Sequence, residues 1–324
     1  MGYNKKAYLQ TKEIFKERES RAREDAFMRK CEVEAAIPEI REINNVLSST
    51  GAQIAIELAQ GKENIEERIN ALRDKNLELQ EKRAALLIKN GYPADYTKPK
   101  FICDKCQDSG YVGTKLCECF HREVVKNTIR NSGIGALVDR QSFDNFDLKY
   151  YSADPRTLSE MKDNLEILRE YAEGFTTNRS SVIMMGATGL GKTHMSTAIA
   201  KVVIEKGYDV VYETVQNIMS DFEYERFGRG YNTDAEEKKT DKYFNCDLLI
   251  MDDLGTELTN NFTVSCLYNL MNSRINNHLP TIVNTNLTHN ELRDRYEDRV
   301  TSRLMGEFVP IQFVGKDIRQ QKMK

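Results

Sequence analysis

Short apolar runs separated by longer amphipathic stretches fill the C-terminal part of the chain. Ser181 to Met185, Asp209 to Glu213, Leu248 to Met251, Thr281 to Thr285 and Pro310 to Val314 have the length and apolar character of buried parallel strands. Between them apolar residues recur at helical spacing, as in His194 to Lys206, which Gly207 stops, and a helix is expected from about Pro155 to Phe175 before the first strand. This alternation predicts a doubly wound α/β sheet of five parallel strands. Residues 1 to about 90 read differently: heavily charged and poor in Gly and Pro, they predict helices interrupted near Pro38 and again near Gly51 and Gly61. In the last of these, Ile65, Ile69, Leu72, Leu79 and Leu86 keep a four-three alternation broken by polar Asn76 and Arg83, and Asn90-Gly91 before Tyr92-Pro93 is a stop. Such a stripe suits the seam of an intramolecular hairpin or a face for a partner, and the pattern leaves both open.

The segment Gly186-Ala187-Thr188-Gly189-Leu190-Gly191-Lys192-Thr193 fits the phosphate-binding loop pattern at every constrained position and lies between a predicted strand and a predicted helix. Glycines there let backbone N–H groups turn toward phosphate oxygens, and the helix N-terminus faces the same anion. Lys192 is expected to reach the β- and γ-phosphates of ATP and the Thr193 hydroxyl to bind Mg²⁺. The second half of the magnesium site is read in Leu248-Leu249-Ile250-Met251-Asp252-Asp253, an apolar strand ending in two carboxylates. Neighbouring side chains at a strand end point apart, so Asp252 is assigned to Mg²⁺ and Asp253 to the attacking water, as general base or polariser.

At 324 residues with 40% hydrophobic content the chain can form more than one domain with a real core. No apolar run approaches membrane-spanning length, and Met1-Gly2-Tyr3-Asn4-Lys5-Lys6 lacks the apolar core of a signal peptide, so a cytoplasmic protein without membrane association is expected. A net charge of -3 excludes the overall basic character of a general nucleic-acid binder, leaving any DNA contact local or dependent on assembly. Of seven cysteines, Cys103, Cys106, Cys117 and Cys119 cluster, around a loop containing Gly110, Tyr111, Val112 and Gly113. In a reducing compartment two close pairs on a hairpin favour a closed structural Zn²⁺ site. An iron-sulfur cluster or redox thiols are the alternatives. The one-residue spacing of the second pair leaves room for His121 as a substitute ligand.

Asn286 follows a strand expected beside the phosphate loop, where a side-chain amide can orient water and sense the γ-phosphate. Arg299 and Arg303 are four apart and share a helix face, and a guanidinium suits a phosphate in a neighbouring subunit's site; Arg319 is a basic candidate for the chain's own γ-phosphate. The region Gln216 to Phe244 mixes Tyr224, Arg226, Phe227, Arg229, Tyr231, Lys238, Lys239 and Lys242 with Glu223, Glu225, Asp234, Glu236 and Glu237. A stacking surface for single strands and an ordinary solvated helix pair both fit that mixture.

Together these residues resemble an AAA+ ATPase, and within that class the DnaC/DnaI family of bacterial helicase loaders, related to IstB. The resemblance runs from about Tyr92 to the C-terminus. It rests on Asn90-Gly91-Tyr92-Pro93-Ala94-Asp95-Tyr96, the cysteine cluster, Phe143-x2-Phe146, the phosphate loop, Asp252-Asp253-Leu254-Gly255, Thr285-Asn286-Leu287 and Ser302-Arg303-Leu304. It implies an α/β fold, an AAA+ P-loop NTPase with a five-stranded parallel sheet, preceded by an α-helical region and a small zinc module. The corresponding expected boundaries are 1–98 for the helical, helicase-binding region, 99–123 for the zinc module and 124–324 for the ATPase domain. By the same resemblance Arg303 is a trans-acting finger, Arg299 its companion and Arg319 a second sensor. The implied partners are a hexameric replicative helicase, single-stranded DNA and further copies of the chain assembled with ATP, with slow Mg²⁺-dependent hydrolysis releasing the loader.

An IstB-type transposition helper shares the ATPase domain but delivers a transposase, and its relatives commonly lack the four-cysteine module. A small-molecule kinase would need an acceptor pocket and no trans arginine. A nucleotide-regulated adaptor without hydrolysis would have no use for Asp253 and Asn286.

Overall fold

The structure, a computed structural model, is described for residues 4–60, 65–135, 137–227 and 238–323, with 51–60 and 65–67 as backbone only. The chain divides into two compact units, Lys12–Phe120 and a second formed by Met1–Thr11 with His121–Lys324. The helical region expected over 1–98 and the cysteine module expected over 99–123 therefore fall largely in one unit. The first residues group instead with the α/β unit, where Asn4 Nδ2 donates to Asp209 Oδ1 at 2.8 Å and Asn127 Nδ2 donates to Thr11 Oγ1 at 2.9 Å.

The helical unit is built from most of α1 (Lys5–Ala36), with α2 (Pro38–Gln60) and α3 (Ile65–Lys89). The break expected near Pro38 is present: proline cannot continue α1 but is tolerated in the first turn of α2, where its missing N–H forfeits no bond. The break expected near Gly51 is absent. α2 runs through that position, since an interior glycine costs only about 1 kcal/mol relative to alanine and does not by itself end a helix. Gly61 lies outside the described residues.

α2 and α3 pack together, which makes the α3 stripe the seam of an intramolecular hairpin. Ile69, Leu72, Asn76, Leu79, Arg83 and Leu86 are all half-buried along it. Both polar interruptions are answered across the seam: Thr50 Oγ1 donates to Asn76 Oδ1 at 3.0 Å, and Arg83 Nε donates to Asn44 Oδ1 at 2.8 Å. Polar pairs at fixed places in an apolar seam penalise any slip of register, because a slip would leave them unpaired. Val33, Ile37, Ile40 and Leu87 form a small core against which Tyr92 and Tyr96 pack. The unit continues into the antiparallel hairpin β1 (Tyr111–Val112) and β2 (Lys115–Leu116).

After α4 (Glu118–Asn131), the α/β unit contains α5 (Pro155–Glu173), β3 (Ser181–Met185), α6 (Lys192–Glu205), β4 (Val210–Thr214), α7 (Val215–Phe227), α8 (Asp241–Asn245), β5 (Leu248–Leu254), α9 (Asn261–Asn276), β6 (Thr281–Thr285), α10 (His289–Glu307), β7 (Phe308–Gln312) and α11 (Ile318–Gln321). The sheet order is β4-β5-β6-β3-β7, every pair parallel. Alternate residues of each strand enter two cores. Val182, Met184, Ile250 and Ile282 face α5 and α6, whereas Ile183, Leu249, Met251 and Val283 face α7, α9 and α10. β6 separates the phosphate-loop strand β3 from β5, so the C-terminal ends of three adjacent strands supply the loop, Asn286 and the two carboxylates.

At the opposite end of the sheet Arg274 on α9 is fully buried. Its guanidinium donates to Tyr243 O at 2.9 Å, Cys246 O at 3.1 Å, Pro280 O at 2.8 Å and Thr281 Oγ1 at 2.9 Å. A permanent charge is tolerated there because carbonyl dipoles converge on it, and the contacts tie α9 to the entries of β5 and β6. No helix among the described residues is long and apolar enough to cross a membrane.

Candidate nucleotide and metal sites

β3 delivers the chain into the loop 186–191, and α6 begins at Lys192 with Gly191 as its N-cap at φ 89°. That backbone favours glycine, and a Cβ there would stand 2.8 Å from the Phe146 ring. Lys192 is almost wholly buried, and its Nζ donates to Gly186 O at 2.6 Å, Ala187 O at 2.8 Å and Asn286 Oδ1 at 2.7 Å. Burial pulls the Lys192 pKa down to about 8, against the opposing charges of Asp253 and Asp252; Arg319 adds to the lowering. The ammonium thus joins the phosphate loop directly to Asn286.

Asp252, 5% exposed, is the most heavily coordinated acid at this end of the sheet. Its Oδ2 accepts the Tyr212 hydroxyl at 2.5 Å, and its Oδ1 accepts Asn284 Nδ2 at 2.8 Å and faces Thr193 Oγ1 at 3.5 Å. Two oxygens so placed are hard donors of the kind Mg²⁺ takes. Asp253, within β5, has the left-handed φ of 56°, in the irregular pairing of β5 and β6 between Met251 and Leu254. The left-handed turn separates its carboxylate from that of Asp252. Burial first, and then the Asp252 charge, raise its pKa from the ordinary aspartate value, while Lys192 and Arg319 oppose the rise.

Asp253, Asn286, Arg319 and residues 188–194 line one cavity of about 580 Å³, with Gln141, Phe146 and Tyr150 on another part of its wall. The Phe146 segment is held against the loop: Tyr151 donates its hydroxyl to Leu190 O at 2.9 Å, and His194 Nε2 lies 2.8 Å from Ser142 O. Arg319 is brought in by α11, whose Ile318 N–H donates to Gly189 O at 3.0 Å. Arg299 and Arg303 are not among the residues lining this cavity. Their guanidinium carbons stand 5.7 Å and 4.7 Å from the Tyr268 ring centroid, and Arg303 Nε donates to Asn272 Oδ1 at 3.0 Å.

In the helical unit the Sγ atoms of Cys103, Cys106, Cys117 and Cys119 all lie within 4.8 Å of one another. Cys103 and Cys117 are 3.9 Å apart, and Cys106 and Cys119 are 3.4 Å apart. Tetrahedral zinc with Zn–S near 2.3 Å requires S···S of about 3.8 Å, so the donor set fits this ion. Gln107 N donates to Cys103 O at 2.8 Å, and Asp108 takes the Ile102 and Cys103 N–H groups at 2.8 Å and 2.9 Å, folding a knuckle around the first pair. The group is complete without His121.

The region proposed from sequence for single strands is described only in part, since Arg229, Tyr231, Asp234, Glu236 and Glu237 lie outside the described residues. Tyr224 and Phe227 are exposed on α7, with Lys239 over Tyr224 at 4.4 Å and Arg226 over Phe227 at 5.6 Å. Lys242 pairs with Asp221 at 3.3 Å.

Sequence reasoning missed Tyr212 and Asn284, which hold Asp252, and Ser196, whose hydroxyl accepts Asn284 Nδ2 at 2.9 Å. Asn284 gave a usable signal: an amide inside a short apolar strand must find partners, since buried polar groups are rarely left unpaired.

Over residues 118–309 the chain matches the family described as IstB-like ATP binding protein. It is 26% identical over 215 residues to the replicative helicase loader DnaC of Buchnera aphidicola subsp. Baizongia pistaciae, an alignment covering 64% of this chain and 83% of that protein. With the replicative helicase loader DnaC of Escherichia coli (strain K12) it shares 29% identity over 181 residues, covering 56% of this chain and 69% of that one. A crystal structure of the DnaC helicase loader superposes with a TM-score of 0.46 at 20% identity, covering 55% of this chain and 98% of that chain. The family match spans more than half of the sequence, and the chain is a member of the IstB-like ATP binding protein family.

Proposed function

We propose that this chain is an AAA+ ATPase that loads a hexameric replicative DNA helicase onto single-stranded DNA in the cytoplasm, ATP driving its assembly with further copies and slow hydrolysis releasing it. The observation that carries the assembly part is the position of Arg299 and Arg303, set on Tyr268 away from the cavity their own chain would use. Arginines so placed suit a phosphate presented by a neighbouring subunit. Similarity to DnaC loaders supports the choice of client, and the four-cysteine knuckle favours a loader over a transposition helper.

In this reading residues 186–193 receive the triphosphate and Arg319 faces the same γ-phosphate. Thr193 and Asp252 would hold magnesium, which would supply positive charge against the phosphates. Asp253 takes a proton from the attacking water, a role its raised proton affinity suits. Asn286 senses the γ-phosphate through Lys192, because phosphate competes for the ammonium that Asn286 shares with the carbonyls of Gly186 and Ala187. Cys103, Cys106, Cys117 and Cys119 would hold zinc, which would keep the knuckle folded.

Protonated Lys192 binds phosphate, and a bound anion raises its pKa. ATP affinity is therefore expected to hold from about pH 7 to about pH 8 and then fall by up to about tenfold per pH unit as the free ammonium titrates. Calorimetry across about pH 7 to 9.5 checks this, and a profile flat to the upper limit shows that the free ammonium titrates above this range and is not lowered by burial.

Purified chain is expected to carry one zinc, with Cys103→Ser and Cys117→Ser losing it and becoming open to proteolysis between residues 103 and 119. Metal-free protein that keeps this segment protected rules out structural zinc.

The function itself is tested by co-elution with the host's replicative helicase in the presence of ATP and Mg²⁺. Lys192→Ala is expected to abolish nucleotide-dependent assembly. Phe27→Glu with Met28→Glu, at positions 62% and 67% exposed on α1, is expected to weaken helicase capture while ATPase activity survives. Absence of capture by the unaltered chain, with ATPase intact, shifts the client to a transposase or another protein.

A further inference from the structure

Glu257, 3% exposed, lies in the loop after β5 and outside the nucleotide cavity. Its Oε2 accepts the Gly255 N–H at 2.9 Å, its Oε1 accepts the Tyr296 hydroxyl, and its main-chain oxygen accepts Arg295 Nη2 at 2.5 Å. On one side it therefore grips the backbone two residues beyond Asp253. That backbone is itself confined: Thr285 Oγ1 donates to Leu254 O at 2.7 Å, and a Cβ on Gly255 would meet Leu287 at 2.6 Å.

On the other side Glu257 grips α10 at its break. Glu297 has φ 63° and ψ 166°, so α10 is two helical stretches that meet at the residue immediately after Tyr296. This backbone region is nearly confined to glycine, and a glutamate stays in it only where surrounding contacts hold it there. Tyr296, 1% exposed, is the residue so held. Arg299 and Arg303 both lie on the second stretch, and Arg299 Nε pairs with Glu297 at 3.3 Å. The direction of the arginine-bearing stretch is thus set at a junction fastened to the end of the acid strand.

We propose that Glu257 is a positioning residue that, through the Tyr296 hydroxyl, couples the Asp253 end of β5 to the break in α10 and so sets the reach of Arg299 and Arg303 toward a neighbouring subunit's phosphate. The proposal rests on the reading that Arg303 acts in trans. A displacement of the backbone beside Asp253 passes through one carboxylate to the foot of the arginine arm, so each subunit's own site biases the finger it offers to the next.

ATPase measurements on mixed subunits test it. The calibrating pair is Asp253→Asn, with an inactive site and an intact finger, mixed with Arg303→Ala, with an intact site and no finger. At equal amounts about one interface in four joins a competent site to a competent finger, so about a quarter of the wild-type rate is expected, well above either variant alone. Tyr296→Phe and Glu257→Gln are expected to bind ATP within about twofold of wild type while losing most turnover. Each is expected to recover activity when mixed with Asp253→Asn and not when mixed with Arg303→Ala. The reverse pattern overturns the proposal alone, because it places the defect in the variant's own site. Full activity of both variants, or recovery with neither partner, also overturns it. Failure of the calibrating pair overturns the trans reading and the proposal with it.

Discussion

A carboxylate held nearly out of water at the C-terminal end of the sheet organises the α/β unit. Leaving Asp252 buried and unpartnered would cost several kcal/mol, and its partners come from elements far apart in sequence. Tyr212 is on β4, Asn284 on β6, and Thr193 on the first turn of α6. Correct pairing of β4, β5 and β6, and correct docking of α6, are therefore conditions for satisfying one charge. The same convergence sets the Thr193 hydroxyl against the carboxylate, so the network that satisfies a buried charge also places side by side two oxygens of the kind a hard cation takes.

The charges at the two ends of the sheet are handled by opposite means. Arg274 is fully buried and surrounded by carbonyls at the entries of β5 and β6, which makes it a clamp on the strand entries. Lys192 also rests on carbonyls, but it shares its third contact with Asn286 and lines the cavity, so its contacts are exchangeable. Burial lowers its proton affinity to the edge of the physiological range, leaving a cation whose charged form a phosphate would stabilise. Similar local geometry thus gives a structural element at one end and a responsive one at the other.

Much of this was legible in the sequence, for physical reasons that differ by element. The phosphate loop is a local motif, so residues 186–193 could be read with their flanking strand and helix. α6 nevertheless begins at Lys192, before the apolar periodicity starts, because Gly191 caps it. β7 begins at Phe308, two residues earlier than the apolar run suggested, since pairing with Ser181 fixes its start. Asn76 and Arg83 interrupt a stripe for a reason that only Thr50 and Asn44 opposite them supply, and Tyr212 carries no signal in the sequence. Partners chosen by tertiary contact leave no periodic trace, and the same holds for the glutamate linking Gly255 to Tyr296.

The dependence of ATP affinity on Mg²⁺, measured by calorimetry for the unaltered chain and for Asp252→Asn, tests most directly whether this buried carboxylate is the magnesium half of the site. The account predicts that Mg²⁺ tightens ATP binding to the unaltered chain, that the variant loses this tightening, and that its metal-free affinity stays close to the original. A variant that binds ATP with undiminished dependence on Mg²⁺ would contradict the assignment.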